Sequence, residues 1–105
     1  MVAQNPLNIE WRGTLSIEQA VLVHKELLES LQKSSSILLD ISDVSDMDTT
    51  IIQLVCAALK EAKKDEKDFH ITGSVRPDFQ KKLLHFGFIT KLVDTAEDLE
   101  RQWCL

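Results

Sequence analysis

Residues 37 to 41, Ile37-Leu38-Leu39-Asp40-Ile41, form a nearly unbroken apolar run. Five residues are too few to make a buried helix, and too apolar to be a loop. A strand covered on both faces absorbs such a run, and it calls for helices above and below a sheet. The flanking segments supply them. Leu7, Ile9 and Trp11 alternate with Asn8, Glu10 and Arg12, the period-two pattern of a strand with one buried face, and Gly13 ends it. Ser16 with Gln19 makes a capping box, after which Ile17, Ala20, Val21, Leu27, Leu28 and Leu31 keep helical spacing through a helix of about residues 17–33. His24 falls in that stripe and reads as a residue at the boundary of the core.

After the polar connection Ser34–Ser36 and the apolar strand, a second helix is expected over residues 49–64. Its first turns are apolar almost all round (Ile51, Ile52, Leu54, Val55, Cys56), and its end is Lys60-Glu61-Ala62-Lys63-Lys64, so its start is buried and its end wet. Phe69–Thr72 reads as a short strand closed by Gly73. Pro77 opens a third helix with Phe79, Leu83, Leu84 and Phe86 inward, and Gly87 supplies its left-handed stop. Lys91–Val93 offers a brief additional strand, and Asp94 with Glu97 opens a last helix carrying Ala96, Leu99 and Trp103. Strands alternating with helices predict one α/β domain over residues 1–105: a sandwich with a central mixed sheet of about four strands flanked by about four helices.

Charge narrows the function. The chain has 12 Lys and Arg against 17 Asp and Glu, and residues 1–50 hold 3 of those bases and 8 of the acids. No basic face is available for phosphate backbones, which argues against nucleic-acid binding. Cys56 and Cys104 lack metal-ligand spacing and read as reduced thiols. No apolar run approaches membrane-spanning length, and Met1–Leu7 lacks the features of a signal peptide, so a cytoplasmic location is expected.

The segment between the central strand and the second helix is the feature that composition does not explain. Residues 40 to 50, DISDVSDMDTT, hold four aspartates and four hydroxyls in eleven positions. Calcium coordination in a helix-loop-helix site requires a glutamate at the twelfth position, and counting twelve from Asp43 lands on Leu54. A phospho-accepting receiver strand requires an acidic pair after the first strand to hold magnesium, and Gly13-Thr14-Leu15 stands there instead. Thr49 and Thr50 have no histidine or lysine nearby in sequence to act as a base, and the three glycines are isolated, so neither nucleophilic catalysis nor a phosphate cradle is expected. Asp48 as the N-cap of the second helix accounts for one acid. It leaves unexplained two β-branched hydroxyl residues in the first turn and a methionine between two acids in what reads as an exposed loop.

Those residues resemble the STAS domain, the fold of bacterial anti-sigma factor antagonists. The family carries an apolar strand, a loop, and Asp-Ser/Thr-Ser/Thr/Ala-Gly opening an apolar helix, and Met47-Asp48-Thr49-Thr50-Ile51 stands in that place. Gly13-Thr14-Leu15-Ser16 matches the family's turn before its first helix, and Phe69-His70-Ile71-Thr72-Gly73 followed by a Phe/Leu-rich helix suits its second half, so the similarity covers about residues 7–103. Two departures stand out. Ile51 replaces the family's glycine and is expected to add bulk where a partner approaches, and the residues before Gly13 leave room for one strand where two are common.

The resemblance implies a binding module in signal transduction, and no enzyme. It implies phosphorylation on the second hydroxyl residue, Thr50, with Thr49 as the lesser candidate. The implied partner is a serine/threonine kinase or anti-sigma factor, docked through residues 43–52. In this reading Asp46, Met47, Asp48, Thr49, Thr50, Ile51 and Ile52 form the contact, with Met47, Ile51 and Ile52 as its apolar part. An alternative within the same family is a soluble accessory subunit of a membrane lipid transporter ATPase, where Thr49 is the matching hydroxyl. No cofactor, metal or catalytic residue is expected, and the chain is expected to be a monomer or weak homodimer.

Overall fold

The computed structural model describes residues 6–93 and 95–103. Its elements are β1 (Leu7–Leu15), a 3-10 turn (Ile17–Gln19), α1 (Ala20–Lys33), β2 (Ser36–Met47), α2 (Thr49–Lys64), β3 (Asp68–Thr72), α3 (Pro77–His85) and α4 (Ala96–Trp103). Among the described residues the sheet has three strands in the order β1-β2-β3, and both pairings are parallel. The expectation of about four strands in a mixed sheet is corrected here. Lys91–Val93 adds no strand, and the one antiparallel contact among the described residues is an isolated bridge between Ser74 and Thr95. The Val93 N–H is instead taken by the side chain of the buried Gln80, at 3.1 Å. Asp94, expected to open the last helix, and Cys104 lie outside the described residues.

Topology decides where the core sits. Parallel strands in consecutive order are joined by right-handed crossovers, and two crossovers taken in the same direction put α1 and α2 on the same face of the sheet. On that face Ile37, Leu39 and Ile41 of β2 are buried together with Phe69 and Ile71 of β3. Val55, Leu59 and Ala62 of α2, and Val23, Leu27 and Leu31 of α1, close over them. The opposite face is only partly covered, since Leu38, Asp40 and Thr72 are half-buried and His70 is exposed. A β2 fully covered on both sides, as the apolar run predicts, is therefore realised on one side.

The face of α1 is rotated relative to the predicted stripe. Val23, Leu27, Ser30 and Leu31 point inward, whereas Ile17, Val21, Leu22 and Leu28 are exposed, Val21 at 79%. His24 is exposed as well. The 3-10 turn over Ile17–Gln19 alters only the direction of Ile17; within the continuous α1, the packing against α2 and the sheet selects the Val23, Leu27, Leu31 side and leaves Val21 and Leu28 outside. The capping interaction survives, with the Gln19 side-chain oxygen accepting from the Ser16 N–H at 2.8 Å. In α3, Phe79 and Leu83 are buried as expected, while Leu84 and Phe86 are exposed, contrary to expectation; α3 ends at His85, so Phe86 lies past the packed face.

The two edges of the sheet are treated differently. Along β3, α4 closes the edge. The Glu100 carboxylate accepts from the Ile71 N–H at 2.7 Å and meets the His70 ring at 3.2 Å, and the Ala96 N–H donates to the Gly73 carbonyl at 2.9 Å. Along β1, no described strand pairs with the outer side.

The end of β3 rests on a close polar contact. Asp40 accepts from the Ser42 N–H at 2.8 Å, and the Ser42 hydroxyl accepts from the Ser74 N–H at 3.2 Å. Between them passes Gly73 in the left-handed region, at φ 96°. A Cβ there would lie 2.1 Å from Ser42 Oγ and 2.6 Å from Asp40 Oδ1. Gly73→Ala therefore combines a strained backbone with a steric collision, and it should lower the unfolding free energy by about 2–3 kcal/mol in denaturant titrations. The hydrogen bonds from Ser42, backbone first and hydroxyl second, outweigh partial burial and, with Arg12, hold the Asp40 carboxyl below its ordinary 3.8. A depressed folded-state value means that Asp40 stabilises the fold above the unfolded-state value and that this contribution is lost as pH falls through the folded one. The stability difference between wild type and Asp40→Asn should thus be constant at neutral pH and shrink below pH 3.8 in urea titrations across pH.

Candidate functional site

The start of α2 is built on a joint between two strands. Leu7 pairs with Ile37 and Leu15 with Met47, so β2 uses two more residues than β1 over the same length. Two bulges in β2 absorb them, opposite Glu10/Arg12 and Gly13/Thr14. Each extra residue breaks the two-residue alternation, and the buried positions after Ile41 become Val44 and Met47. What reads as an acidic loop is thus strand up to Met47.

Asp48 then turns the chain. Its N–H donates to the Leu15 carbonyl at 2.8 Å, tying the turn to the end of β1, and its side chain accepts from the Thr50 N–H at 2.9 Å as the helix N-cap. The cap fixes the first turn of α2, where free backbone N–H groups and the helix dipole favour negative charge. Thr49 is exposed and Thr50 half-buried.

The apolar members of the predicted contact are elsewhere. Met47 and Ile51 are fully buried and Ile52 is 2% exposed. Their role as apolar contacts for a partner is therefore corrected: they are core residues, held inward by the bulged strand and by the α2 face that packs on the sheet. The same fact removes the expected obstruction from Ile51, whose bulk points into the protein.

Asp46 is likewise less of an exposed acid than its sequence suggests. Lys82 of α3 places its ammonium 2.7 Å from one carboxylate oxygen and 2.8 Å from the other, and both side chains are partly shielded. The pair offsets the Asp46 charge, so the acidity around α2 rests on Asp48 and on the exposed Asp43. Among the described residues, no group of three His, Cys, Asp or Glu side chains comes together in a metal-holding arrangement, and no helix is long and apolar enough to cross a membrane.

Sequence reasoning missed the surface beside the two threonines. Residues spaced by three and four share a helix face, so Thr50 heads a row containing Leu54, Ala57 and Glu61. These last three line a groove of about 230 Å3 between α2 and α1, whose other wall is formed by His24 and Leu28. Ile17 and Val21 continue that wall as an exposed apolar ridge. The signal was present as an apolar stripe on α1, but its period alone reads equally well as core.

A family model described as "Mlab, STAS domain" matches residues 3–94. Among curated proteins, none matches the sequence. Solved structures that share the fold include these two. One is a provisionally assigned anti-sigma factor antagonist (tm1081) from Thermotoga maritima, 23% identical, with 76% of this chain and 69% of that chain covered and a TM-score of 0.63. The other is the anti-sigma factor antagonist SpoIIAA in its unphosphorylated form, 17% identical, with 83% and 79% covered and a TM-score of 0.62. With the family model matching residues 3–94, most of the sequence, this chain belongs to the STAS domain family.

Proposed function

We propose that the chain is a phosphorylation-gated binding module of the anti-sigma factor antagonist kind, which docks a regulatory serine/threonine kinase or an anti-sigma factor through the start of α2. Thr50 is the phosphoacceptor and Thr49 the lesser candidate. Its work is binding, with no reaction of its own. One observation carries the reading: the two hydroxyls at the helix start are not buried, while the apolar residues around them are. Charge can be added there without disturbing the core.

The physics of the switch follows from the joint. A phosphate on Thr50 adds roughly −1.5 to −2 charges. The helix N-terminus tolerates them, with a dipole contribution of about 0.3–1 kcal/mol. A partner seated on the same turn would meet new charge and new bulk at a fixed point, because the Asp48 cap holds Thr50 in place. Apolar contact comes from Leu54 and Ala57 in the row behind Thr50 and from Val21 and Leu28 of α1, in place of the buried Met47, Ile51 and Ile52. Asp46 and Asp48 act from within the fold, one paired with Lys82 and the other capping α2.

Thr49 supports a second reading, as an accessory subunit of a membrane lipid transporter ATPase. It is the more exposed of the two hydroxyls and the one that matches the transport branch of the family. In that role it makes a constitutive contact, and no phosphate is involved.

Affinity capture from the native cell separates the two. Under the first reading, Thr50→Asp should lose a soluble kinase or anti-sigma factor, Thr50→Ala should keep it, and phosphopeptide mass spectrometry should find the modification on Thr50. If both variants capture the same partner as wild type, the switch is absent; recovery of a membrane-bound ATPase that Thr49→Arg abolishes would install the second reading. Val21→Glu should weaken capture at least about tenfold while leaving stability within ~0.5 kcal/mol, because Val21 is exposed in the free chain.

A further inference from the structure

We propose that the open edge of β1 is a self-association surface, on which a second copy of this chain adds its own β1 in antiparallel register centred on Trp11. The inference does not rest on the role given to Thr50. It starts from the unequal edges of the sheet. At β3, α4 takes up the Ile71 N–H and the Gly73 carbonyl. At β1, nothing among the described residues pairs with the outer side. An uncovered row of backbone donors and acceptors is a template for another strand.

The obstacles to an incoming strand are small. Both register shifts against β2 are taken up by extra residues in β2, and the irregularity of β1 itself is Gly13, in the left-handed region at φ 68°, which leaves Leu7–Arg12 as the regular stretch of the edge. On the helix side, a groove of about 400 Å3 separates Leu7 and Ile9 from Glu26, Glu29 and Lys33 of α1, which leaves the edge accessible.

Charge selects the occupant and the register. Residues directly opposite each other in an antiparallel pair share a face. For Ile9 and Trp11 to stay on the helix-covered side in both copies, odd residues must face odd ones and even residues even ones. Centring on Glu10 or on Arg12 sets like charges opposite each other, which is unfavourable. Centring on Ile9 leaves Arg12 without an opposite charge. Centring on Trp11, the midpoint of Leu7–Leu15, places Glu10 opposite Arg12 of the second copy, twice by symmetry, within the regular stretch before the left-handed Gly13. In the single chain Glu10 and Arg12 already meet at 3.0 Å on the exposed side. The dimer joins the two pairs into a square of alternating charge. Because the strands run oppositely, the two α2 starts lie at opposite ends of a six-stranded sheet, and both remain available.

Sedimentation equilibrium of the full chain, from micromolar to about 1 mM, tests the proposal. The wild type should dimerise within that range. Glu10→Arg and Arg12→Glu alone each turn two attractive pairs into repulsive ones and should weaken dimerisation about tenfold or more. An equimolar mixture of the two variants should restore it as a heterodimer, because one strand then carries arginine at both positions, the other carries glutamate at both, and every facing pair is again of opposite charge. Circular dichroism should show each variant folded like wild type. A wild type that stays monomeric to the top of the range, single reversals that leave the dimer unchanged, or a mixture that fails to recover it would each overturn the proposal. A strand from a different protein on this edge belongs to the first of those outcomes.

Discussion

Everything in this molecule depends on the burial of one face of β2 beneath α1 and α2. Two right-handed crossovers taken in the same direction leave no choice about which face that is. Ile37, Leu39 and Ile41, together with Phe69 and Ile71 from β3, meet the two helices there, and the apolar area removed from water supplies the main drive to fold. The consequence is an asymmetric sheet. One face is closed, and the other presents Asp40, His70 and Thr72 partly to solvent.

That asymmetry positions the candidate site. β2 has to reach the far end of β1, and it does so with two bulges that bring Met47 inward and leave Asp48 at the rim. Asp48 bonds to β1 through its backbone and to α2 through its side chain, so one residue links a strand end to a helix start. The threonines that follow are held by this joint. That Thr49 is exposed and Thr50 half-buried is a property of the scaffold, because Met47 before Asp48 and Ile51 and Ile52 after the threonines are locked in the core.

Electrostatics around the joint is milder than the aspartate count implies. Asp40 is bound up with Ser42 and influenced by Arg12, and Asp46 is matched by Lys82. Two of the four acids are therefore part of the framework. A charge added at Thr50 is consequently a large local change, which is what a surface switch requires. The two sheet edges show a comparable division: α4 uses Glu100 to close β3, whereas among the described residues nothing pairs with the outer side of β1, where Glu10 and Arg12 meet on the exposed face.

Much of the fold was legible in residue order. The period-two pattern of Leu7 to Arg12, the apolar run at residues 37–41, Asp48 as an N-cap, Pro77 at a helix start and Gly87 at a left-handed stop are local signals, and each element appears there, although β1 runs on through Gly13, which was expected to end it, to Leu15. The STAS motif at residues 47–51 was readable for the same reason. What the sequence could not determine were phases and partners. Whether the stripe Ile17, Val21, Leu28 faces the core or solvent depends on where α2 and the sheet lie beside α1. Whether Met47 is a loop residue or a core residue depends on bulges that exist only because β2 must keep register with β1. Lys82 meets Asp46 only once α3 has packed on β2. The sequence by itself determined which segments are strands and helices and which residues cap them, because those choices are made over a few neighbouring bonds. Only the tertiary structure decided which apolar residues are buried, which acids are paired and which edge of the described sheet α4 closes, because those are set by contacts between segments far apart in the chain.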